Sequence, residues 1–148
     1  MVPHAGADGL PGRVAEALAL KQERGGRMKI RRLEGLFSIC RLRDFSQVDW
    51  NSAFCFAGKT DEEWSLVCEA EKVPADVLAR DDGWRAFRIE GVLDFSMVGV
   101  LSQISALLAE RGISIFAVST YNTDYILVRD ARFQEALDAL SDAGHELL

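Results

Sequence analysis

The chain has 148 residues, of which 49% are hydrophobic and 27% are charged, a composition typical of globular proteins. This length allows one domain or two small ones. The formal net charge of −6 argues against nucleic acid and anionic membranes as partners, because both attract proteins with a basic face. No stretch approaches the roughly 18 apolar residues that a membrane-spanning helix requires.

The cysteines and histidines argue against a metal site. Cys40, Cys55 and Cys68 are odd in number and form no CxxC motif, so we interpret them as reduced core thiols of a cytoplasmic protein. His4 and His145 are too few for a zinc cluster and lie far apart in the sequence. Phosphate-binding loops such as GxGxxG are also missing from the sequence. We therefore expect neither a metal ion nor a cofactor.

Residues 1–27 differ in composition from the rest of the chain. Gly, Pro and Ala dominate, and the apolar stretch VAEALAL is too short and too interrupted for a convincing signal peptide. We expect these residues to be poorly ordered, or to be an extension ahead of a second start at Met28. The alternative is a docking helix across residues 13–24.

From Met28 onward the sequence looks like two copies of one unit. At an offset of 50, Phe37 and Ile39 match Phe87 and Ile89, and the triplet Asp-Phe-Ser recurs after both. At an offset of 61, the segment EWSLVCEA resembles DYILVRDA. The difference of 11 residues predicts about three more helical turns in the second copy. Coincidence is the alternative, because each match is short.

The second copy predicts a ferredoxin-like plait, an α+β fold. SMVGVLSQISALLAERG has the apolar spacing of an amphipathic helix, which Asp94 or Ser96 can cap and Gly112 can end. Two strands, a second helix that stops at Gly144, and a short last strand follow. The order βαββαβ predicts four antiparallel strands with both helices on one face. The bare face then requires a cover, either the other copy or a second subunit.

The first copy has strands predicted at 35–43, 53–58 and 64–69, but barely one helical turn where the second copy has its first helix. A short helix is predicted from Pro74 to Ala79, with proline at its first position. The pair Gly83-Trp84 marks the predicted boundary. We therefore divide the chain into an extension (1–27), a degenerate unit (28–83) and a complete unit (84–148).

The segment VGVLSQISALLAERGISIFAVST resembles the ACT domain, the regulatory amino-acid-binding module attached to aspartate kinases and other biosynthetic enzymes. The stretch STYNTDYILV is similar to the aspartate-kinase-type ACT subgroup, which includes stand-alone proteins with two ACT units. The resemblance implies a tandem ACT protein, a homodimer, and a small-molecule site between ACT units. The matching positions are Gly99, Gly112, Ile113, Ile115, Ser119 and Thr120.

The residues themselves are suited to a free amino acid. The start of a helix offers unpaired N–H groups to a carboxylate, and Gly99 allows a ligand to approach closely. The ammonium requires an anionic partner, for which Asp94 and Asp124 are candidates, while Ser119 and Thr120 add hydroxyl groups. The candidate ligand-binding residues are Asp94, Ser96, Met97, Val98, Gly99, Val100, Ile115, Ser119, Thr120 and Asp124.

Each candidate also has a structural interpretation. Asp94 can serve only as a helix cap, Gly99 can simply make room for helix packing, and Asp124 is a common turn residue. Catalysis has little support, because His145 has no acid or thiol partner near it in the sequence. We therefore expect a non-catalytic cytoplasmic regulator that binds an amino acid and acts on a protein partner. The alternative is an interaction scaffold that retains the fold without a ligand.

Overall fold

The computed structural model describes residues 27–90 and 99–148, which contain eight strands, two α-helices and two single 3-10 turns. None of the helices in these two ranges has the length and apolarity needed to cross a membrane. The strands are β1 (Lys29–Arg32), β2 (Phe37–Leu42), β3 (Cys55–Lys59), β4 (Trp64–Glu69), β5 (Ala79–Ile89), β6 (Phe116–Ser119), β7 (Asp124–Arg129) and β8 (Glu146–Leu147). The helices are α1 (Val100–Glu110) and α2 (Phe133–Asp142), and the 3-10 turns are Ala70–Lys72 and Asp130–Arg132.

Contacts within the chain divide the described residues into two compact units. Residues 34–85 form one, which we call the strand unit, and residues 27–33, 86–90 and 99–148 form the other, the helical unit. This division differs from the predicted one, because the strand at 29–32 belongs to the helical unit rather than to a unit spanning 28–83. Gly83 and Trp84, the predicted boundary, lie inside β5.

The helical unit confirms the predicted βαββαβ order from β5 to β8, with one addition. Its sheet has the order β6–β7–β5–β1–β8, so β1 lies between the first and last strands of the plait. Ile30 pairs antiparallel with Ile89 and parallel with Leu147. The prediction of four purely antiparallel strands was therefore wrong. Ile30 is fully buried, and the burial of this apolar side chain stabilises the added strand.

Both helices pack on one core of the helical unit. Ile104 and Leu108 of α1 are one turn apart and fully buried, as the predicted amphipathic spacing requires. They share a cluster with Leu140 of α2 and with Phe87 and Ile126 of the sheet. The predicted helices are thus confirmed, and both end at left-handed glycines, at residues 112 and 144.

The start of α1 differs from its prediction. The residue at the N-cap is Gly99, and no side chain forms a capping hydrogen bond there. Neither Asp94 nor Ser96 occupies the N-cap, and both lie outside the described residues. Gly99 has φ 83°, a left-handed conformation that glycine adopts without the steric cost of a Cβ atom.

The strand unit consists of β3, β4, β2 and the first part of β5, in that order. Its strands confirm the three predicted in the first copy. The predicted helix from Pro74 to Ala79 was wrong: Val77 N donates to Pro74 O (3.2 Å) in a single turn, and Ala79 begins β5. Val77 instead packs its side chain against the core of the unit.

A β-bulge interrupts the pairing of β2 with β5. Phe37 pairs with Trp84 and Ile39 with Asp81, so a step of two residues on β2 faces a step of three on β5. Gly83, inside this irregular step, has φ 84°. The bulge therefore depends on a backbone conformation that favours glycine.

The two units contain matching hairpins, β3–β4 and β6–β7. Thr60 N donates to Glu63 O (2.9 Å) in the first turn, and Thr120 N donates to Thr123 O (2.8 Å) in the second. In each turn the threonine Oγ1 also accepts a hydrogen bond from the backbone N–H three residues later. A 3-10 turn follows each hairpin. These elements correspond at an offset of 60, whereas the sequence similarity had predicted 61.

The direction in which the side chains of β4 and β7 point supports an offset of 60 between the two hairpins. Leu66 and Cys68 lie in the core of the strand unit, and Ile126 and Val128 lie in the core of the helical unit. An offset of 61 pairs Leu66 with Leu127, the neighbour on the opposite face of β7. A slip of one residue reverses every side chain of a strand, so similarity of letters alone had selected the wrong register.

We expect Gly83→Ala to lower the free energy of unfolding by about 1–2 kcal/mol, because an L-residue is strained at a left-handed φ. The space around the glycine is open, so the loss reports backbone strain alone. Gly58→Ala on β3 is the matched control: its surroundings are also open, its φ is not positive, and it should be neutral or add up to about 1 kcal/mol. Urea unfolding of both variants measures the difference, and equal stabilities would contradict the role given to the bulge.

A hydrogen bond of His145 connects the residue before β1 to the residue before β8. Because His145 titrates, we expect the stability of the protein to depend on pH. Its Nδ1 accepts a hydrogen bond from Met28 N (3.0 Å), and burial lowers the pKa of His145 below its ordinary value of 6.5. The unfolded chain therefore takes up a proton first as the pH falls, and the free energy of unfolding decreases below about pH 6.5.

Replacing His145 with asparagine tests this linkage, because the amide oxygen can accept the Met28 hydrogen bond but does not titrate. Urea unfolding from about pH 7.5 to about pH 5.5 should show a steeper loss of stability for the wild type than for His145→Asn. Parallel pH profiles would mean that His145 titrates alike in the folded and unfolded states.

Candidate functional site

The β6–β7 hairpin brings two predicted site residues together. Ser119 and Asp124 face each other at the end of the hairpin ladder, and Ser119 Oγ donates to Asp124 Oδ1 (2.7 Å). Ser119 is exposed and Asp124 is half-buried. The hydroxyl thus fixes one oxygen of a carboxylate that remains accessible at the rim of the sheet.

Thr120, the third candidate on this hairpin, has a structural role in the turn. Its Oγ1 donates to Thr123 O (3.0 Å) and accepts from Thr123 N (3.4 Å). The hydroxyl that we had assigned to ligand binding is therefore engaged in holding the two-residue turn. A ligand contact by Thr120 stays a prediction.

Thr123 is a residue that sequence reasoning missed. It is 8% exposed, and its Oγ1 donates to the carbonyl oxygen of Ile89 (2.7 Å). This bond attaches the turn to the last residue of β5, just before the segment that leads to α1. The threonines at both ends of the turn were the signal that could have identified it, because each hydroxyl forms a local or cross-strand hydrogen bond.

Gly99 begins the first turn of α1. Its carbonyl accepts the first helical hydrogen bond, from Gln103 N (2.8 Å). The N–H groups of the first turn have no partner within the helix, and they give this end of α1 a partial positive charge. Gln103 is 7% exposed and was not selected from the sequence, where a single amide beside an apolar stripe carries no distinctive signal.

Two further candidates are core residues. Val100 is 9% exposed and belongs to the hydrophobic cluster of the helical unit, and Ile115 packs against that cluster. Their side chains therefore stabilise the fold around the site. The remaining candidates lie outside the described residues: Asp94, Ser96, Met97 and Val98.

A second carboxylate near the end of β5 is already paired. Glu90 lies 3.0 Å from Arg31 Nε and 3.2 Å from Arg88 Nε, measured to Glu90 Oε2. Partial burial raises the pKa of Glu90, but the hydrogen bonds and charges of Arg88 and Arg31 outweigh it and hold the pKa below its ordinary value. Arg88 also contacts the Tyr125 hydroxyl (3.4 Å). Glu90 is thus neutralised locally, unlike Asp124, whose described partner is an uncharged hydroxyl.

The equivalent position in the strand unit has different chemistry. At the offset of 60, Ser119 and Asp124 correspond to Lys59 and Trp64, which close the first hairpin. The Lys59 ammonium lies 4.8 Å from the centre of the Trp64 ring, a cation–π contact. The acid–hydroxyl pair is therefore specific to the helical unit.

Comparison with known sequences finds a family match over the part of the chain that contains Ser119 and Asp124. Residues 79–142 match the family model of the ACT domain. The human protein named cytosolic arginine sensor for mTORC1 subunit 1 is 35% identical over 83 residues, covering 51% of this chain and 25% of the sensor. The chain spans about a quarter of the length of the curated relatives it matches.

Solved structures have the same architecture. A crystal structure of a protein from Agrobacterium tumefaciens superposes with a TM-score of 0.74 and 35% identity, covering 82% of this chain and 92% of that one. The aspartate kinase of Clostridium acetobutylicum superposes with a TM-score of 0.56 at 14% identity, over 77% of this chain and 34% of the kinase, which shows the shared fold alone. Residues 79–142, which match the ACT domain model, include both Ser119 and Asp124.

Proposed function

We propose that this protein is a non-catalytic regulatory protein that binds a free amino acid between the ACT domains of two chains in a homodimer. The ACT family match and the similarity to a protein named as an arginine sensor support a regulatory, ligand-binding role. We further propose that the protein works in the cytoplasm. The ligand would favour one packing of the domains over another, and a protein partner would read that difference.

The Ser119–Asp124 pair is the observation that carries the proposal. From the described residues Asp124 accepts one hydrogen bond, from Ser119, whereas a carboxylate has about four acceptor positions. Its free positions suit the ammonium group of an amino acid, in a half-buried place where charge attraction is less screened than in water.

The carboxylate of the ligand requires the opposite chemistry. We assign it to the backbone N–H groups in the segment from Asp94 to Val100, at the start of α1, where the helix is partially positive. Ser96, Met97 and Val98 stay in the proposed site as members of that segment. Gly99 supports the assignment because glycine has no Cβ atom, which allows a ligand to approach the backbone closely.

The strand unit favours one site per chain. Its equivalent hairpin closes with Lys59 and Trp64, so it offers an ammonium group of its own instead of a carboxylate. A ligand ammonium would be repelled there. Loss of the acid in one unit is also the observation that favours the second candidate function, a scaffold that retains the ACT fold without any ligand.

Calorimetric titration with each of the twenty amino acids tests the proposal, and we expect at least one to bind with a stoichiometry near one per chain. The same ligand at 100 times its Kd should raise the free energy of unfolding by about 2.7 kcal/mol. Asp124→Asn removes the charge opposite the ligand ammonium, so affinity should fall roughly 10- to 100-fold, as for loss of a charge-assisted hydrogen bond.

Asp61→Asn is the matched control, because Asp61 is an exposed carboxylate in the turn of the strand unit's hairpin. This variant should bind the ligand as the wild type does. Light scattering with and without ligand checks the dimer. If none of the twenty amino acids binds at millimolar concentration, the scaffold function replaces the sensor function. Equal weakening by both substitutions would assign the effect to net charge rather than to the site.

A further inference from the structure

The three cysteines lie on three neighbouring strands of the strand unit. Cys40 is on β2, Cys68 on β4 and Cys55 on β3, and the sheet order places β4 between the other two. All three are free thiols. Cys40 and Cys68 are buried in one cluster, and Cys55 packs against it while half-buried. Reduced core thiols were expected from the sequence, but their adjacency was not.

Cys55 and Cys68 are directly opposed across the β3–β4 ladder. Thr60 N donates to Glu63 O, which makes Thr60 and Glu63 a hydrogen-bonded pair. Hydrogen-bonded and non-hydrogen-bonded pairs alternate along antiparallel strands. Counting back five pairs from Thr60 makes Cys55–Cys68 a non-hydrogen-bonded pair, the type with Cα atoms about 4.5 Å apart and closer side chains. This separation lies within the range of disulfides, roughly 4.4–6.8 Å.

Cys40 is less well placed for a covalent bond. In the β2–β4 ladder Cys68 faces Ser38 and Cys40 faces Leu66, so the two cysteines are diagonal neighbours. Diagonal positions are roughly 7–8 Å apart, beyond the range that a disulfide spans without backbone movement. The Cys40 and Cys68 thiols instead share a hydrogen bond, which lowers the pKa of Cys40 and, together with burial, raises that of Cys68.

We propose that Cys55 and Cys68 are a site of oxidative modification, where a peroxide forms an intramolecular cross-strand disulfide. Hydrogen peroxide first oxidises the half-buried Cys55 thiol to a sulfenic acid, and the other peroxide oxygen leaves as water. The Cys68 sulfur then attacks the Cys55 sulfur, and the hydroxyl leaves with the Cys68 proton as a second water. Two thiols are oxidised by two electrons, and one peroxide is reduced to two waters.

The surroundings of Cys55 make its reaction with peroxide slow. Burial and the Asp49 charge raise the pKa of Cys55, while Ser52 opposes them with a hydrogen bond. The thiol form therefore predominates at neutral pH, and thiols react with peroxide far more slowly than thiolates. β3 is the terminal strand in the described sheet order, so small movements that bring the two sulfur atoms together disturb one neighbour only.

Tryptic mapping of the full chain after hydrogen peroxide treatment and alkylation identifies the bond, because trypsin separates all three cysteines. Cys40 falls in peptide 33–41, Cys55 in 44–59 and Cys68 in 60–72. We expect a peptide that joins 44–59 to 60–72, absent after reduction, while the protein stays at its untreated oligomeric size. Peptide 33–41 should stay alkylated.

Two variants test the assignment of the disulfide to Cys55 and Cys68 in a second way, beside the tryptic peptide map. Cys40→Ser should form the same linked peptide, because the diagonal thiol takes no part. Cys55→Ser should abolish it and leave the treated chain with no intramolecular disulfide. Linkage of peptide 33–41 to 60–72, or disulfides formed only between chains, would overturn the proposal. So would full alkylation of Cys55 and Cys68 after peroxide has oxidised a free thiol standard in the same tube.

Discussion

The hydrogen bond from the Thr123 hydroxyl to the Ile89 carbonyl holds the turn between Ser119 and Asp124 against the end of β5. It is buried (2.7 Å), and it connects the turn of the β6–β7 hairpin to the last residue of β5. An unpaired carbonyl in this place would cost about 1–3 kcal/mol, so one register of β7 is strongly preferred. That register directs Ile126 and Val128 into the core and leaves Asp124 at the rim. A slip of one residue would turn Asp124, Ile126 and Val128 together to the opposite face of the sheet.

In the two hairpins, different residues determine the backbone geometry of the turn and the side chains at the end of the ladder. Both turns use the same pair of interactions, a backbone bond across the turn and a threonine hydroxyl that accepts from the N–H three residues later. None of these bonds involves the side chains that close the ladder. One unit could therefore have Ser119 and Asp124 at the closing pair, and the other Lys59 and Trp64, without any change in the turn. The fold alone thus does not predict a ligand site, and the closing pair decides which unit can offer a carboxylate.

Sequence patterns predicted the elements of the helical unit well because each has a strong local signal. Apolar residues one turn apart and a terminal glycine define α1 and α2. β1 has no such signal, because only Ile30 of its four residues is apolar. The partners of Ile30 in the neighbouring strands are Ile89 and Leu147, which are distant in the sequence. Long-range pairing of this kind cannot be read from a window of sequence.

Two predictions were wrong, the offset between the two hairpins and the capping residue of α1, and each has its own reason. The offset of 61 was chosen from similar letters in two strands, and letters do not reveal which face a side chain occupies. Asp94 and Ser96 are favourable capping residues, but the helix starts at Val100, beyond their reach as N-caps. At the site, the Ser119–Asp124 contact follows from two candidates that the sequence had selected. Thr123 was missed because its partner is a backbone carbonyl 34 residues away.

The strand unit shows how a sheet keeps a core without the helices of its counterpart. The Phe45 ring packs edge-on against Trp64 (4.9 Å between ring centres) and against Trp50 (5.7 Å), and Val73 and Val77 cover the same cluster from another loop. Aromatic side chains bury more area per residue than aliphatic ones, so short loops can replace a helix as a cover. Such loops have no row of unpaired N–H groups at a helix start. The described strand unit therefore lacks both halves of the proposed chemistry, the helix terminus as well as the carboxylate, and the proposed ligand site depends on the helical unit alone.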